Sequence, residues 1–296
     1  MISLNDKLDI KDKFSGKYFI KGLEEYIDEI DSLYMDKYLT ISINVYYREK
    51  KDKLDKDLIK RVLKRGSSIS NGKLITIYLL LSPLKKTFEK TEKYLSPKNI
   101  NSGFTIVNEN NIYIFRKEEF PKVIIHEIIH HNKLIDSDVF KKEDKIKLCN
   151  HFKINYNCLL IFNETIIEFW AFIRHLIFIS EEYNIDFNIL FELELKYSLF
   201  KYNQIMNLQK KMENCEWYDK CNIFSYIIFK TILLYNFNKF IKIYSFPYDT
   251  TKIINFLIKY SKNIPKITNN PNSRINPNIN LYRPLNSLCF MLSSDL

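Results

Sequence analysis

Three of the five histidines in this chain lie within six residues, in the segment PKVIIHEIIHHNK (residues 121–133). They are His126, His130 and His131, and Glu127 directly follows the first of them. Residues four apart on an α-helix lie about 40° apart around its axis, whereas residues five apart lie about 140° apart. His126 and His130 therefore share a face and could chelate one metal ion, while His131 points elsewhere.

His126, Glu127 and His130 form the pattern HExxH, which provides two metal ligands and a general base in zinc hydrolases. The glutamate of this pattern lies beside the ion, where it can take a proton from the attacking water. Most neighbouring residues are apolar, as in a helix that is buried against a sheet. Buried histidines and glutamates need polar partners, and a metal ion would supply one.

A third ligand is expected on a second helix, at about residues 160–180. The segment FNETIIEFWAF (162–172) offers Glu164 and Glu168, which share a face of that helix, and His175 extends the same stripe. Carboxylates surrounded by Trp, Phe and Ile favour a metal site over a pair of solvated surface acids. Two histidines and one glutamate, with one position open to water, are typical of a single catalytic Zn²⁺ ion.

HExxH followed by Asn-Glu-x-x-x-acid resembles the gluzincin metallopeptidases, the thermolysin-like group, whose second motif is NExxxD. The resemblance implies that Glu164 is the third ligand and that Glu168 holds a ligand histidine through its other ring nitrogen. Asn163 and His131 are then expected near the ligands. Glu168 replaces the Asp of the family pattern, and the longer spacing between the two motifs implies an insertion at about 134–158.

Two further resemblances concern the same residues. NSGFT, IYIFRKEEFPKVIIHEIIHH and FNETIIEFWAF together resemble a family of metallopeptidase-like proteins of large DNA viruses, over about residues 100–175. The Lys, Asn, Ile, Tyr and Phe bias of the chain is typical of an AT-rich genome. The HExxxH frame, formed by His126 and His131, is similar to that of the tubulin-tail carboxypeptidases and also uses a downstream glutamate. Both histidine frames remain open from the sequence.

The elements that must position these residues follow from periodicity and turn signals. Predicted helices lie at about 17–36, 52–65, 84–95, 118–133 and 160–180, with mainly helical structure on to 262. Predicted strands lie at 38–47, 73–82, 103–107 and 112–116, the last two as a hairpin. Glu118 and Glu119 fall in the first turn of the histidine helix.

This order predicts an α+β protein of zincin-like type. An N-terminal lobe (1–134) contains a small mixed or antiparallel sheet and ends in the HExxH helix. A mainly α-helical lobe (135–296) contains the third-ligand helix and an extended C-terminal tail.

The predicted function is zinc-dependent peptidase activity, with Glu127 as the general base. In gluzincin-like folds an extended substrate pairs with a sheet edge, which implies strand addition at 103–107 or 112–116. The oxyanion that forms during hydrolysis needs a further donor. The candidates are His175, Tyr197, Tyr226, Tyr282 and Arg283. The alternatives are a catalytically silent binding or virion protein of the same fold and a carboxypeptidase with the HExxxH frame.

Charge, apolar segments and cysteine content indicate which partners and which compartment the chain is expected to have. The net charge of +10 is spread along the chain without a basic arm or an RNA-binding signature, which makes a nucleic-acid partner unlikely. The N-terminus has no apolar signal segment, and the apolar run at 224–235 is too short to span a membrane. Five cysteines without a paired framework are typical of a reducing compartment. The expected location is the cytoplasm, or the host cytoplasm or virion for a viral protein, and the sequence does not indicate an oligomeric state.

Overall fold

A computed structural model describes residues 2–15, 22–87, 95–106, 109–133 and 140–266 of the 296-residue chain. The protein is an α+β protein with two compact units. The first unit comprises the described residues of 1–87 and 97–134, and the second comprises those of 88–96 and 135–292. Among the described residues, no helix combines the length and apolar character that are needed to cross a membrane.

The first unit contains a five-stranded mixed sheet with the strand order β1-β2-β3-β5-β4. The strands are β1 (Ser32–Tyr38), β2 (Ile41–Tyr47), β3 (Ile75–Leu80), β4 (Gly103–Thr105) and β5 (Asn111–Ile114). β2, β3 and β5 run parallel, whereas β1 and β4 pair antiparallel with their neighbours. β5 is therefore hydrogen-bonded on both sides, and β4 lies at an edge of the described sheet.

Different helices cover the two faces of this sheet. On one face, the helices α1 (Leu4–Phe14) and α2 (Leu23–Glu29) form a hydrophobic core with tyrosines of β2 and β5. On the other face, α3 (Lys56–Ile69) packs beside α5 (Phe120–His131), where a Cβ on Gly66 of α3 would lie 3.1 Å from Ile128 of α5. The short helix α4 (Pro97–Ile100) precedes β4. The histidine-bearing helix α5 thus packs on one face of the sheet.

The start of α5 is fixed by buried polar contacts. Glu119 precedes the helix in the left-handed conformation (φ 65°), and its fully buried carboxylate pairs with Lys86. The backbone N–H of Lys117 donates to the carbonyl of Ser82, which ties the connection from β5 to the segment after β3. Pro121 occupies the first helical turn, where its missing N–H costs no hydrogen bond. The prediction that Glu118 and Glu119 lie in the first turn is therefore wrong, because the helix begins only at Phe120.

The second unit is built from helices. They are α6 (Lys142–Phe152), α7 (Asn163–Tyr183), α8 (Phe187–Gln209), a 3₁₀ turn (Glu213–Cys215), a π-helical segment (Phe224–Phe229), α9 (Lys230–Tyr235), α10 (Phe237–Ile243) and α11 (Thr250–Ser261). The long helix α7 packs against α8, α9 and the π-helical segment. Aromatic side chains dominate this core, and the ring of Phe169 contacts the rings of Phe237 and Phe240.

Several predicted elements differ from the structure. Residues 17–21 of the helix predicted at 17–36 lie outside the described residues. Of the rest, the seven-residue α2 is helical, and the chain continues as the edge strand β1 from Ser32. The strand predicted at 38–47 is instead the end of β1 and all of β2, joined by a two-residue turn in which Leu39 has φ 48°. Residues 84–87 of the helix predicted at 84–95 are not helical, and 88–94 lie outside the described residues. The predicted C-terminal tail beyond 266 also lies outside them.

Candidate metal centre

His126 and His130 present adjacent imidazole nitrogens on one face of α5. Their Nε2 atoms are 3.2 Å apart, and their ring centroids are 4.8 Å apart. His126 is buried and His130 is half-buried, so the pair lies where the helix surface meets solvent. Two nitrogens that both bind a tetrahedral zinc ion at about 2.0–2.1 Å would be roughly 3.3 Å apart. The observed spacing fits chelation of one ion without any change of helix geometry.

Glu164 provides the third donor of this candidate centre. One ligand atom from each of His126, His130 and Glu164 lies within 4.8 Å of the other two. In the part of the chain that the structure describes, these three side chains form the grouping of His, Cys, Asp or Glu residues that could hold a metal ion. Such a triad is generic, and by itself it does not identify the metal or the reaction.

The position of α5 on the sheet depends on a glycine in the edge strand β4. A Cβ added to Gly103 would lie 2.8 Å from the carbonyl oxygen of Tyr113 and 3.2 Å from Cγ1 of Val123 in α5. Only glycine therefore allows helix and strand to approach so closely at this point. Gly103 and Thr105 are two residues apart on one face of the strand, and Val123 and Glu127 are one turn apart on the helix.

This close approach brings Thr105 to the predicted general base. Its hydroxyl donates a hydrogen bond to Oε2 of Glu127, with an O–O distance of 2.8 Å. The backbone carbonyl of Glu127 is farther away, at 3.5 Å from the same hydroxyl. Since a hydroxyl has one hydrogen to donate, the shorter contact with the charged acceptor is the stronger one. Glu127 is itself buried, so this hydrogen bond holds its carboxylate on the side of α5 that faces β4.

The helix α7 places Glu164 in its first turn, where a carboxylate is stabilised by the helix dipole. Asn163 precedes it and accepts a hydrogen bond from the hydroxyl of Tyr248, at 2.8 Å. Tyr248 is 1% exposed, so this contact anchors the beginning of α7 inside the second unit. Glu168 follows one turn later and is buried, as the apolar sequence around it predicts. His175 is also buried on α7, but eleven residues correspond to about 16 Å of helical rise from Glu164.

The other histidine and the candidate oxyanion donors lie in different surroundings. His131 is the last residue of α5 and is half-buried, and burial together with the nearby charge of Lys73 lowers its pKa. Tyr197 is buried on α8, and Tyr226 lies half-buried in the π-helical segment. Tyr282 and Arg283 lie outside the described residues.

The buried cysteines are poorly suited to act as a second reactive centre. Cys149, Cys158 and Cys221 are buried, and Cys215 is half-buried. Burial raises the pKa of the Cys149 thiol, and it raises the pKa of Cys158 to about 12. A thiol with a raised pKa is a poor nucleophile and a poor metal ligand at neutral pH, because the thiolate is the reactive form.

Sequence patterns did not single out Thr105 or Tyr248 as residues of the site. Thr105 lies in the predicted strand at 103–107, and the alternation of that strand puts Gly103 and Thr105 on one face. This arrangement of Gly103 and Thr105 could have indicated the contact, because a small residue and a hydroxyl on one face of a strand allow a helix to pack closely there. Tyr248 gives no comparable signal, since its contact with Asn163 joins residues 85 positions apart.

Comparison with models of known protein families gave no match, and comparisons with curated proteins and with solved structures gave none either. The functional assignment of this chain therefore rests on the chemistry of the His126, His130 and Glu164 grouping and of the carboxylate beside it.

Proposed function

We propose that the chain is a zinc-dependent peptidase of zincin-like type. The observation that supports the proposal most directly is the grouping of His126, His130 and Glu164 donor atoms within 4.8 Å, next to the acid Glu127 on the same helix. Two neutral imidazoles and one carboxylate are the donor set of catalytic zinc sites that leave one position open.

Each residue of the proposed site has a separate task. His126, His130 and Glu164 would hold the ion, which when bound would polarise the peptide carbonyl and lower the pKa of the attacking water. Glu127 accepts the proton that this water loses as its oxygen bonds to the carbonyl carbon. The same carboxylic acid then gives that proton to the leaving nitrogen as the C–N bond breaks. The first products are a carboxylic acid and an amine, and the acid then passes its remaining proton to the amine, which leaves as an ammonium ion. Glu127 ends in its starting state.

An edge strand offers a way to present the substrate. Among the described strands, β4 lies at the edge of the sheet and contacts α5, whereas β5 is hydrogen-bonded on both sides. An extended peptide that pairs with β4 would have its backbone fixed by main-chain hydrogen bonds. Binding of this kind depends on hydrogen bonds to the substrate main chain. It therefore suits peptide or protein substrates more than small amides.

The test combines metal analysis with peptide cleavage. We expect the purified chain to bind one zinc ion per molecule and to cleave members of a mixed peptide library, as measured by mass spectrometry of the new termini. Glu127→Gln should retain the zinc and lose cleavage by about 10²-fold or more, because it keeps the shape but cannot accept the proton. His151→Gln is a matched control, since His151 hydrogen-bonds Ser261 at 2.8 Å and has no part in the proposed site.

Cleavage that survives Glu127→Gln would refute the mechanism. A chain that binds stoichiometric zinc but cleaves no peptide would instead support the alternative of a catalytically silent binding protein. A chain that binds no zinc would remove the basis of the proposal altogether.

A further inference from the structure

We propose that Thr105 is a positioning residue for Glu127, so that the edge strand of the sheet sets the orientation of the catalytic carboxylate. This inference rests on the proposed peptidase function and extends it to a residue outside both sequence motifs. It starts from the 2.8 Å hydrogen bond between the Thr105 hydroxyl and Oε2 of Glu127.

A glutamate side chain has several rotatable bonds, and proton transfer requires its carboxylate oxygen to be within about 3 Å of the attacking water. The hydrogen bond from Thr105 engages Oε2 and leaves Oε1 to receive the proton. A charge-assisted hydrogen bond of this length restricts the carboxylate more strongly than a contact between neutral groups does. Thr105 therefore fixes which oxygen is available and the direction in which it points.

The packing of β4 against α5 supports the contact between Thr105 and Glu127. Two residues of β4 advance by about 6.8 Å, and four residues of α5 advance by about 6 Å. Gly103 can therefore lie opposite Val123 while Thr105 lies opposite Glu127. The missing side chain at Gly103 lets the strand approach the helix, and the approach brings the threonine hydroxyl within reach of the carboxylate. The position of β4 along α5 thus determines this hydrogen bond.

The same strand is the edge at which we place the substrate. A peptide paired with β4 would form hydrogen bonds with the strand that bears Thr105, and Thr105 itself contacts Glu127. One element would then align both the scissile bond and the base. Such alignment affects the chemical step more than the affinity for substrate, because the threonine side chain points to the helix and the substrate contacts the strand backbone.

The experiment compares Thr105→Val, which keeps the branched shape but has no hydroxyl, with Thr105→Ser, which keeps the hydroxyl. Thr76→Val is a matched control, because Thr76 of β3 also forms a strand hydroxyl contact, with Ser42 at 3.1 Å. We expect Thr105→Val to lower kcat by about tenfold or more with KM and zinc content unchanged. Thr105→Ser and Thr76→Val should remain within about threefold of the unmodified chain.

A second measurement does not depend on turnover. The absorption spectrum of the cobalt(II)-substituted protein would report the surroundings of the metal, including any bound water that Glu127 orients. We expect Thr105→Val to shift this spectrum in the same direction as Glu127→Gln does, whereas Thr105→Ser should leave it unchanged.

The outcomes separate this inference from the proposed function. If Glu127→Gln abolishes cleavage but Thr105→Val matches the unmodified chain in kcat and spectrum, Thr105 has no positioning role and the peptidase proposal stands. A rise in KM alone, or equal losses for the serine and valine variants, would also overturn the inference. A chain that binds neither zinc nor cobalt would overturn both proposals.

Discussion

The choice between His130 and His131 as metal ligand can be tested quantitatively, since the two histidines are adjacent in sequence. The Nε2 atoms of His126 and His130 are 3.2 Å apart, close to the edge of about 3.3 Å that a tetrahedral zinc site requires. His131 is a further 100° around the helix and is absent from the three-residue grouping. The lowered pKa of His131 leaves it neutral at pH 7, so its protonation state does not prevent it from binding a metal.

The expected loss of affinity follows from the free energy of zinc binding. Apparent values of about 10–16 kcal/mol for four protein ligands correspond to roughly 2.5–4 kcal/mol per ligand. His130→Ala should therefore weaken zinc binding by about 10²- to 10³-fold, since 1.4 kcal/mol corresponds to a factor of ten. Glu164→Gln should weaken it comparably, because a neutral amide oxygen is a poor substitute for a carboxylate. His131→Ala should change the affinity by less than about threefold.

Competition with a chromophoric zinc chelator at fixed pH measures these affinities directly. His126→Ala is the internal control, because His126 is a ligand in both the HExxH and HExxxH frames and its removal must weaken binding in either case. If His131→Ala loses zinc and His130→Ala keeps it, the regular helical geometry has been misinterpreted and the HExxxH frame is correct. Equal losses for both variants would indicate that the two histidines act through the stability of the helix end.

Two further predictions concern the framework of the first unit. Gly103→Ala should lower the free energy of unfolding of the metal-free protein by about 1–3 kcal/mol, because the added Cβ would overlap Ile114 and the Tyr113 backbone. Urea denaturation measures this change. An unchanged midpoint would mean that β4 and α5 are not so closely packed. Burial opposes ionisation of Asp52, but hydrogen bonds from Arg48 outweigh it and lower the pKa of Asp52. Ionised Asp52 therefore stabilises the fold above the usual carboxyl range, and this stability is lost as pH falls through its folded-state pKa. Asp52→Asn should lower the urea midpoint at pH 7 and approach the unmodified chain near pH 2, whereas a constant difference would contradict the role of its charge.

The sequence predicts features of the site that depend on local geometry. The shared face of His126 and His130 follows from helical periodicity alone, and the structure confirms that they lie on one helix with facing nitrogens. The antiparallel pairing of the two strands before this helix is also confirmed. Strong apolar runs predict β3 as a central strand, and it lies between β2 and β5.

Predictions fail where a tertiary contact overrides the local pattern. The helix predicted at 17–36 includes the beginning of Ser32–Tyr38, yet this segment pairs with β2 as an edge strand because the sheet provides partners for its backbone. Glu119 resembles a favourable acid of a first helical turn, but its carboxylate is buried with Lys86, and the helix starts one residue later. Both differences arise from partners that are distant in sequence, which periodicity does not detect.

The contact between Thr105 and Glu127 depends both on a local sequence pattern and on a tertiary contact. Glu127 is identified by its place in a five-residue pattern, but the direction of its carboxylate depends on a strand twenty-two residues earlier. Gly103 permits the close approach of that strand to the helix, because a Cβ there would overlap Ile114 and the Tyr113 backbone and crowd Val123 of α5. A motif can therefore specify which residues could bind a metal and move a proton. Whether they are aligned to do so depends on the packing of β4 against α5, and Thr105→Val changes that alignment while leaving the motif intact.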